Sequence, residues 1–137
     1  MAKQQKRWMY NPPRSTPPKI PESIKADVTA KANELIETSL KAAYIKPHTE
    51  NEQFNYIIDI YGKWYRSSFY FCATYRVAGP HPTVPTFEAK FARMTYAGNN
   101  HFHLSFMRYT GQWIQLYSDL PVDECLATIR DDAYFQL

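Results

Sequence analysis

The sequence predicts an α+β fold: a long N-terminal helix packed on a curved five-strand antiparallel meander, with a short C-terminal helix. Three observations predict it. Apolar residues recur at helical spacing early in the chain, five segments of alternating polarity follow between turn signals, and a second helical stripe stands behind Pro121. The 137 residues fit one domain, and three Trp, eleven Tyr and eight Phe against four Gly exclude a disordered or fibrous chain. The expected division is a basic, proline-rich arm over residues 1–20 and a folded body over residues 21–137.

The first helix is expected from about Pro21 to Ala43. A proline suits a first helical turn and Glu22 complements the helix dipole, whereas Pro47 bars continuation. Ile24, Val28, Ala32, Leu35, Ile36 and Leu40 form the apolar stripe, opposite Lys25, Asp27, Lys31, Glu34 and Glu37. Then Tyr56, Ile58, Ile60 and Trp64 alternate with Ile57, Asp59, Tyr61 and Lys63. A tight turn at Arg66-Ser67 pairs Trp64 with Phe69, Ile60 with Ala73 and Ile58 with Tyr75. It also sets Gly62 opposite Phe71, where the missing side chain leaves room for a ring.

After the proline-rich loop from Ala78 to Pro85, a third strand places Phe87, Ala89 and Phe91 on one face. Glu88, Lys90, Ala92, Met94 and Tyr96 take the other. Gly98-Asn99 reads as a two-residue turn pairing Tyr96 with His101, Met94 with His103, Phe91 with Phe106 and Arg93 with Leu104. A three-residue loop around Thr110-Gly111 aligns Phe106 with Ile114 and Leu104 with Leu116. Val122, Cys125, Leu126 and Ile129 give the terminal helix its stripe. The long helix is the expected cover for the apolar sheet face. The outline is similar to cystatin-like or helix-grip folds, a likeness of topology that carries no function.

The formal net charge of +3 hides an asymmetry, because Lys3, Lys6, Arg7, Arg14 and Lys19 give residues 1–19 a charge of +5. Trp8 and Tyr10 sit among those cations, and Pro12, Pro13, Pro17 and Pro18 favour an extended chain. Such an arm suits contact with phosphates and bases. The second sheet face suits the same ligand. It is expected to carry Asp59, Tyr61, Lys63, Tyr70, Cys72, Thr74 and Arg76 on the first hairpin, then Glu88, Lys90, Met94 and Tyr96. His101, His103, Ser105, Met107, Trp113, Gln115 and Tyr117 complete it. Rings interleaved with cations form a platform for single-stranded nucleic acid, since each exposed ring can stack a base. The expected binding residues are Lys3, Lys6, Arg7, Trp8, Tyr61, Lys63, Tyr70, Arg76, Lys90, His103 and Trp113. The alternative is a protein-interaction module, with the ringed face buried against a protein partner or in a homodimer.

Catalytic patterns are sparse. Glu88-Ala89-Lys90 with Asp59 upstream resembles the PD-(D/E)xK nuclease signature, in which two carboxylates hold a metal and a lysine stabilises charge. In a simple meander Asp59 and Glu88 stand two strands apart, about 9–10 Å at the backbone, so a metal-dependent nuclease using Asp59, Glu88 and Lys90 is the weaker alternative. His101 and His103 form an i, i+2 pair without the third ligand that zinc needs. Cys72 and Cys125 read as buried thiols, and the four glycines sit singly at bends rather than in a phosphate loop. An enzyme is disfavoured and no cofactor or metal is expected. No apolar run approaches the ~20 residues of a membrane span, and the first residues lack a signal-type apolar stretch, so a cytoplasmic protein is expected.

Several stretches resemble an uncharacterised bacterial family of small hypothetical proteins. They are Asn55 to Tyr61, Lys63 to Arg66, Phe87 to Tyr96, Phe106 to Trp113 and Asp123 to Leu126. The resemblance implies a bacterial cytoplasmic protein and brings no activity, ligand or catalytic residue. Within these stretches Arg93 and Arg108 fall on the apolar parity, where a guanidinium must pair, stack on a ring such as Trp113, or escape at an edge.

Overall fold

Pro21, in extended conformation, hands the chain into a continuous helical rod, α1 (Glu22–Leu35), a π-helical segment (Ile36–Leu40) and α2 (Lys41–Tyr44). The computed structural model describes residues 18–46, 54–79 and 84–137. Val28, Ala32, Leu35, Ile36 and Leu40 are buried as the stripe requires. Within the π segment Ile36 and Leu40 are the buried residues.

Five antiparallel strands follow in sequential order: β1 (Tyr56–Tyr65), β2 (Ser68–Arg76), β3 (Thr86–Gly98), β4 (His101–Met107) and β5 (Trp113–Pro121). The chain closes with α3 (Val122–Asp131) and a 3₁₀ turn (Ala133–Phe135). Two rows across the sheet define the helix face: Trp64, Phe69, Met94 and Leu104, then Gly62, Phe71, Ala92, Phe106 and Ile114. Phe69, Phe71, Ala92, Met94 and Leu104 are sealed beneath the helices, with all four stripe residues of α3. Lys31 of α1 reaches Asp123 of α3 at 3.2 Å, and Phe106 meets Phe135 edge-on at 6.5 Å. Both helices therefore share one face. The chain is α+β with the expected element order.

The Arg66-Ser67 turn and the pairs Trp64–Phe69, Ile60–Ala73 and Gly62–Phe71 stand as the alternation predicts. The glycine's room is used by a different ring, however. A Cβ on Gly62 would lie 2.2 Å from Phe69 Cζ, so the glycine accommodates Phe69 while standing opposite Phe71.

Bulges correct the remaining register. One at Ile58 pairs Tyr75 with Ile57 instead of Ile58 and turns Ile57 into the core. A second, at Phe91, opposes Ala92 to Phe71 and Lys90 to Cys72. Beyond it the parity of β3 reverses. Ala92, Met94 and Tyr96 enter the core, and Arg93 leaves the apolar parity for the second face. The β3–β4 turn is Asn99-Asn100, one residue later than expected, with φ of 53° and 61° at its two centres. Both angles are what a type I′ hairpin requires, and asparagine tolerates them. Tyr96 consequently pairs with Phe102, Met94 with Leu104, Arg93 with Ser105 and Ala92 with Phe106. The last hairpin has its three-residue loop, with Gly111 at φ 88° and Phe106 opposite Ile114. Irregularity beyond Ser105 then sets Leu104 against Tyr117 rather than Leu116. Tyr117 turns to the helix side, where its hydroxyl donates to Asp132 Oδ2 at 2.8 Å.

Candidate nucleic-acid interface

The face away from the helices is built from the alternate rows. Asp59, Thr74 and Glu88 form one, then Tyr61, Cys72 and Lys90, then Lys63, Tyr70, Arg93, Ser105 and Gln115, then Tyr65, Ser68, Thr95 and His103. Among the described residues this surface is covered by its own side chains, with the core and both helices on the opposite side. Two polar groups lie at its floor, Cys72 and Ser105, at 0% and 1% exposure. Larger neighbours roof them over.

Above Cys72 is a charged bridge. Glu88 accepts from Lys63 Nζ at 3.1 and 3.2 Å and from Lys90 Nζ at 3.3 Å. Lys63 stands on β1 and Glu88 on β3, so the pair closes across β2, where Cys72 and Thr74 are small enough to pass beneath. Burial pushes the Cys72 thiol up, and the two lysines partly oppose that shift.

The second cluster is aromatic. Tyr70 on β2 and Trp113 on β5 begin three strand spacings apart, roughly 14 Å. Their rings nonetheless meet edge-on at 5.7 Å between centroids, above the intervening Arg93 and Ser105. The Arg93 guanidinium lies 4.9 Å from the Trp113 ring. Its Nε is buried with no hydrogen-bond acceptor, and among the described residues no carboxylate pairs with it. Stacking stabilises such a cation by about 0.5–2 kcal/mol and leaves its positive field uncancelled.

Tyr61, Lys63, Tyr70, Lys90, His103 and Trp113, all expected at the interface, stand on this face, and Arg76 lies at its far end beside Tyr56 and Thr86. Lys3, Lys6, Arg7 and Trp8 fall outside the described residues. The arm joins the body at Pro18, beside Gly98, with Ile20 anchored in the core. His103 Nδ1 accepts from the Asp119 amide at 3.2 Å, which leaves the neutral ring's proton on Nε2. Met94, Tyr96 and Tyr117, also expected here, lie on the helix side.

Asp59 and Glu88 are engaged by different partners. The Asp59 carboxylate takes the Ile60 amide at 2.9 Å and lies 3.5 Å from Lys41 Nζ on α2, whereas Glu88 holds the two sheet lysines. Among the described residues no three of His, Cys, Asp and Glu gather as metal ligands. Arg93 is the functional candidate that alternation misses. Its signal was the conflict itself, an arginine on an apolar parity, which a bulge resolves.

A family model described as Domain of unknown function (DUF3024) matches residues 20–136, from the anchoring isoleucine to the residue after the 3₁₀ turn. No curated protein matches the chain. No solved structure matches it either. Among the described residues no helix is long and apolar enough to cross a membrane.

Proposed function

For this chain, which belongs to the family Domain of unknown function (DUF3024), we propose binding of RNA or another single-stranded nucleic acid on the sheet face opposite the helices. One observation carries the reading. Tyr70, Trp113 and Arg93, which pairs with no carboxylate among the described residues, form an aromatic and cationic centre on a face that no described helix covers. Lys63, Lys90 and Arg76 extend the positive field along the strands, with Glu88 between the two lysines and Asp59 turned to Lys41 of α2. Bases stack on the rings while phosphates follow the cations, a division of labour that tolerates sequence. Lys3, Lys6, Arg7 and Trp8 of the arm add charge and a ring on the same chain.

The test is fluorescence anisotropy of a short labelled oligouridylate. Trp113→Ala weakens binding by about five- to a hundredfold, the worth of one stacked base. Lys63→Ala, Arg76→Ala and deletion of residues 1–14 each weaken it and flatten its salt dependence. A Trp113→Ala variant that keeps its fold and binds like the parent overturns the reading, as does absence of binding at low salt. The same samples weighed by light scattering test the alternative of a protein interface, which requires a second copy or a protein partner on the ringed face.

A further inference from the structure

Resting on the nucleic-acid reading, we propose that Glu88 is a built-in occupant of a phosphate subsite, held between Lys63 and Lys90 and displaced when a phosphate of the bound strand arrives. The two ammonium groups converge on one anion from two strands, at 3.1 and 3.3 Å. A carboxylate and a phosphodiester each carry one negative charge on two acceptor oxygens, so the same pair of donors fits either. The side chains are far from sealed: Lys63, Glu88 and Lys90 keep 43%, 31% and 38% of their surface. Ion pairs this exposed are weak and readily exchanged, so Glu88 can leave without disturbing the sheet.

The floor supports the assignment. Cys72 is closed off and Thr74 is small, which leaves the position above β2 to the two lysines and whatever anion they share. Without Glu88 the lysines would face each other across an open strand, an arrangement that calls for an anion. Arg93, one row along, has no anion among the described residues and lies beneath Trp113. A strand whose base stacks on Trp113 therefore meets one cation without a paired anion among the described residues and one guarded pair. The guard makes binding selective, since an isolated small anion gains too little to displace Glu88, whereas a strand also held by stacking brings its phosphate at high local concentration. The Glu-x-Lys pair is accounted for without a metal ligand role.

The experiment compares the parent chain with Glu88→Gln, using two probes: inorganic phosphate followed through backbone amide shifts, and the labelled oligouridylate followed by anisotropy. The glutamine variant is expected to bind the oligonucleotide about three- to tenfold more tightly at low salt, with a steeper salt dependence. Inorganic phosphate is expected to move the Cys72 and Lys90 amides in Glu88→Gln and to leave them still in the parent. Lys90→Ala in the Glu88→Gln background removes both gains, which separates a phosphate subsite from a general charge effect. If the parent binds the oligonucleotide and Glu88→Gln binds it equally or less well, Glu88 is no competitor and the inference falls while the nucleic-acid reading stands. Phosphate binding by Glu88→Gln with no oligonucleotide binding by either chain keeps the anion subsite and removes the nucleic acid. Silence of both probes overturns both.

Discussion

Trp64 and Trp113 stand on opposite faces of one sheet, each beside a cation and an aromatic ring. Trp64 meets Phe69 edge-on at 5.2 Å, Lys25 Nζ lies 5.6 Å from its ring, and its indole N–H donates to Thr29 Oγ1 at 2.8 Å. Trp113 has Tyr70 and Arg93 in the same roles, yet among the described residues its indole N–H has no acceptor. One ring is locked to a helix and completes a packed layer. The other has an indole N–H without an acceptor and a cation without a carboxylate among the described residues. A half-buried tryptophan is thus a structural or a binding residue according to whether its polar end is spoken for, and composition alone cannot separate the two.

The comparison predicts unequal costs of truncation. Phe69→Ala, which empties the sealed layer under Trp64, is expected to destabilise the protein by about 3–5 kcal/mol in urea unfolding. Trp113→Ala, on the open face, is expected to lose less than about 1 kcal/mol while losing its ligand. Equal losses would mean that both faces are core. Gly62→Ala sharpens the point from the other side, because the added Cβ would also lie 2.6 Å from Phe69 Cε2. A destabilisation of about 1–3 kcal/mol is expected there, with Phe69→Leu in the same chain recovering part of it.

The two thiols divide in the same way as the indoles. Cys125 lies in the core between α3 and the sheet, and burial pushes its pKa from 9.0 up to about 12, with Glu124 adding to the shift. The folded state then keeps a proton that the unfolded chain releases. The contribution to stability is complete below pH 9, falls as pH rises towards 12, and reaches a slope of at most about 1.4 kcal/mol per pH unit. Cys125→Ala should flatten this alkaline limb. Cys72 is also raised, but Lys63 and Lys90 oppose the shift, so Cys72→Ala should flatten it less.

How much of this was legible in the sequence follows from what each pattern encodes. The helical stripes were legible because Val28, Ala32, Leu40, Cys125 and Ile129 are fully apolar positions at one fixed spacing. The first hairpin was legible near its turn, where a two-residue loop and Gly62 fix the register. Bulges were not, because inserting one residue at Phe91 costs little locally and reverses every side chain beyond it. That reversal moved Met94 and Tyr96 inward and brought Arg93 out. Lys63, Tyr70, Lys90 and Trp113 were placed correctly on the second face because they precede the β3 bulge or lie on strands with their own turn signals. The contacts between them, the Glu88 bridge and the Tyr70–Trp113 pair, depend on small residues on the intervening strands and cannot be read from any one strand.

The most direct test of the central claim, that the open face is the binding face, is to follow the two indole N–H resonances during titration with a single-stranded oligonucleotide. The account predicts a large shift or broadening of the Trp113 signal at ligand concentrations that leave Trp64, bonded to Thr29, where it was. Movement of Trp64 with Trp113 unaffected, or of neither while the oligonucleotide binds, would contradict it.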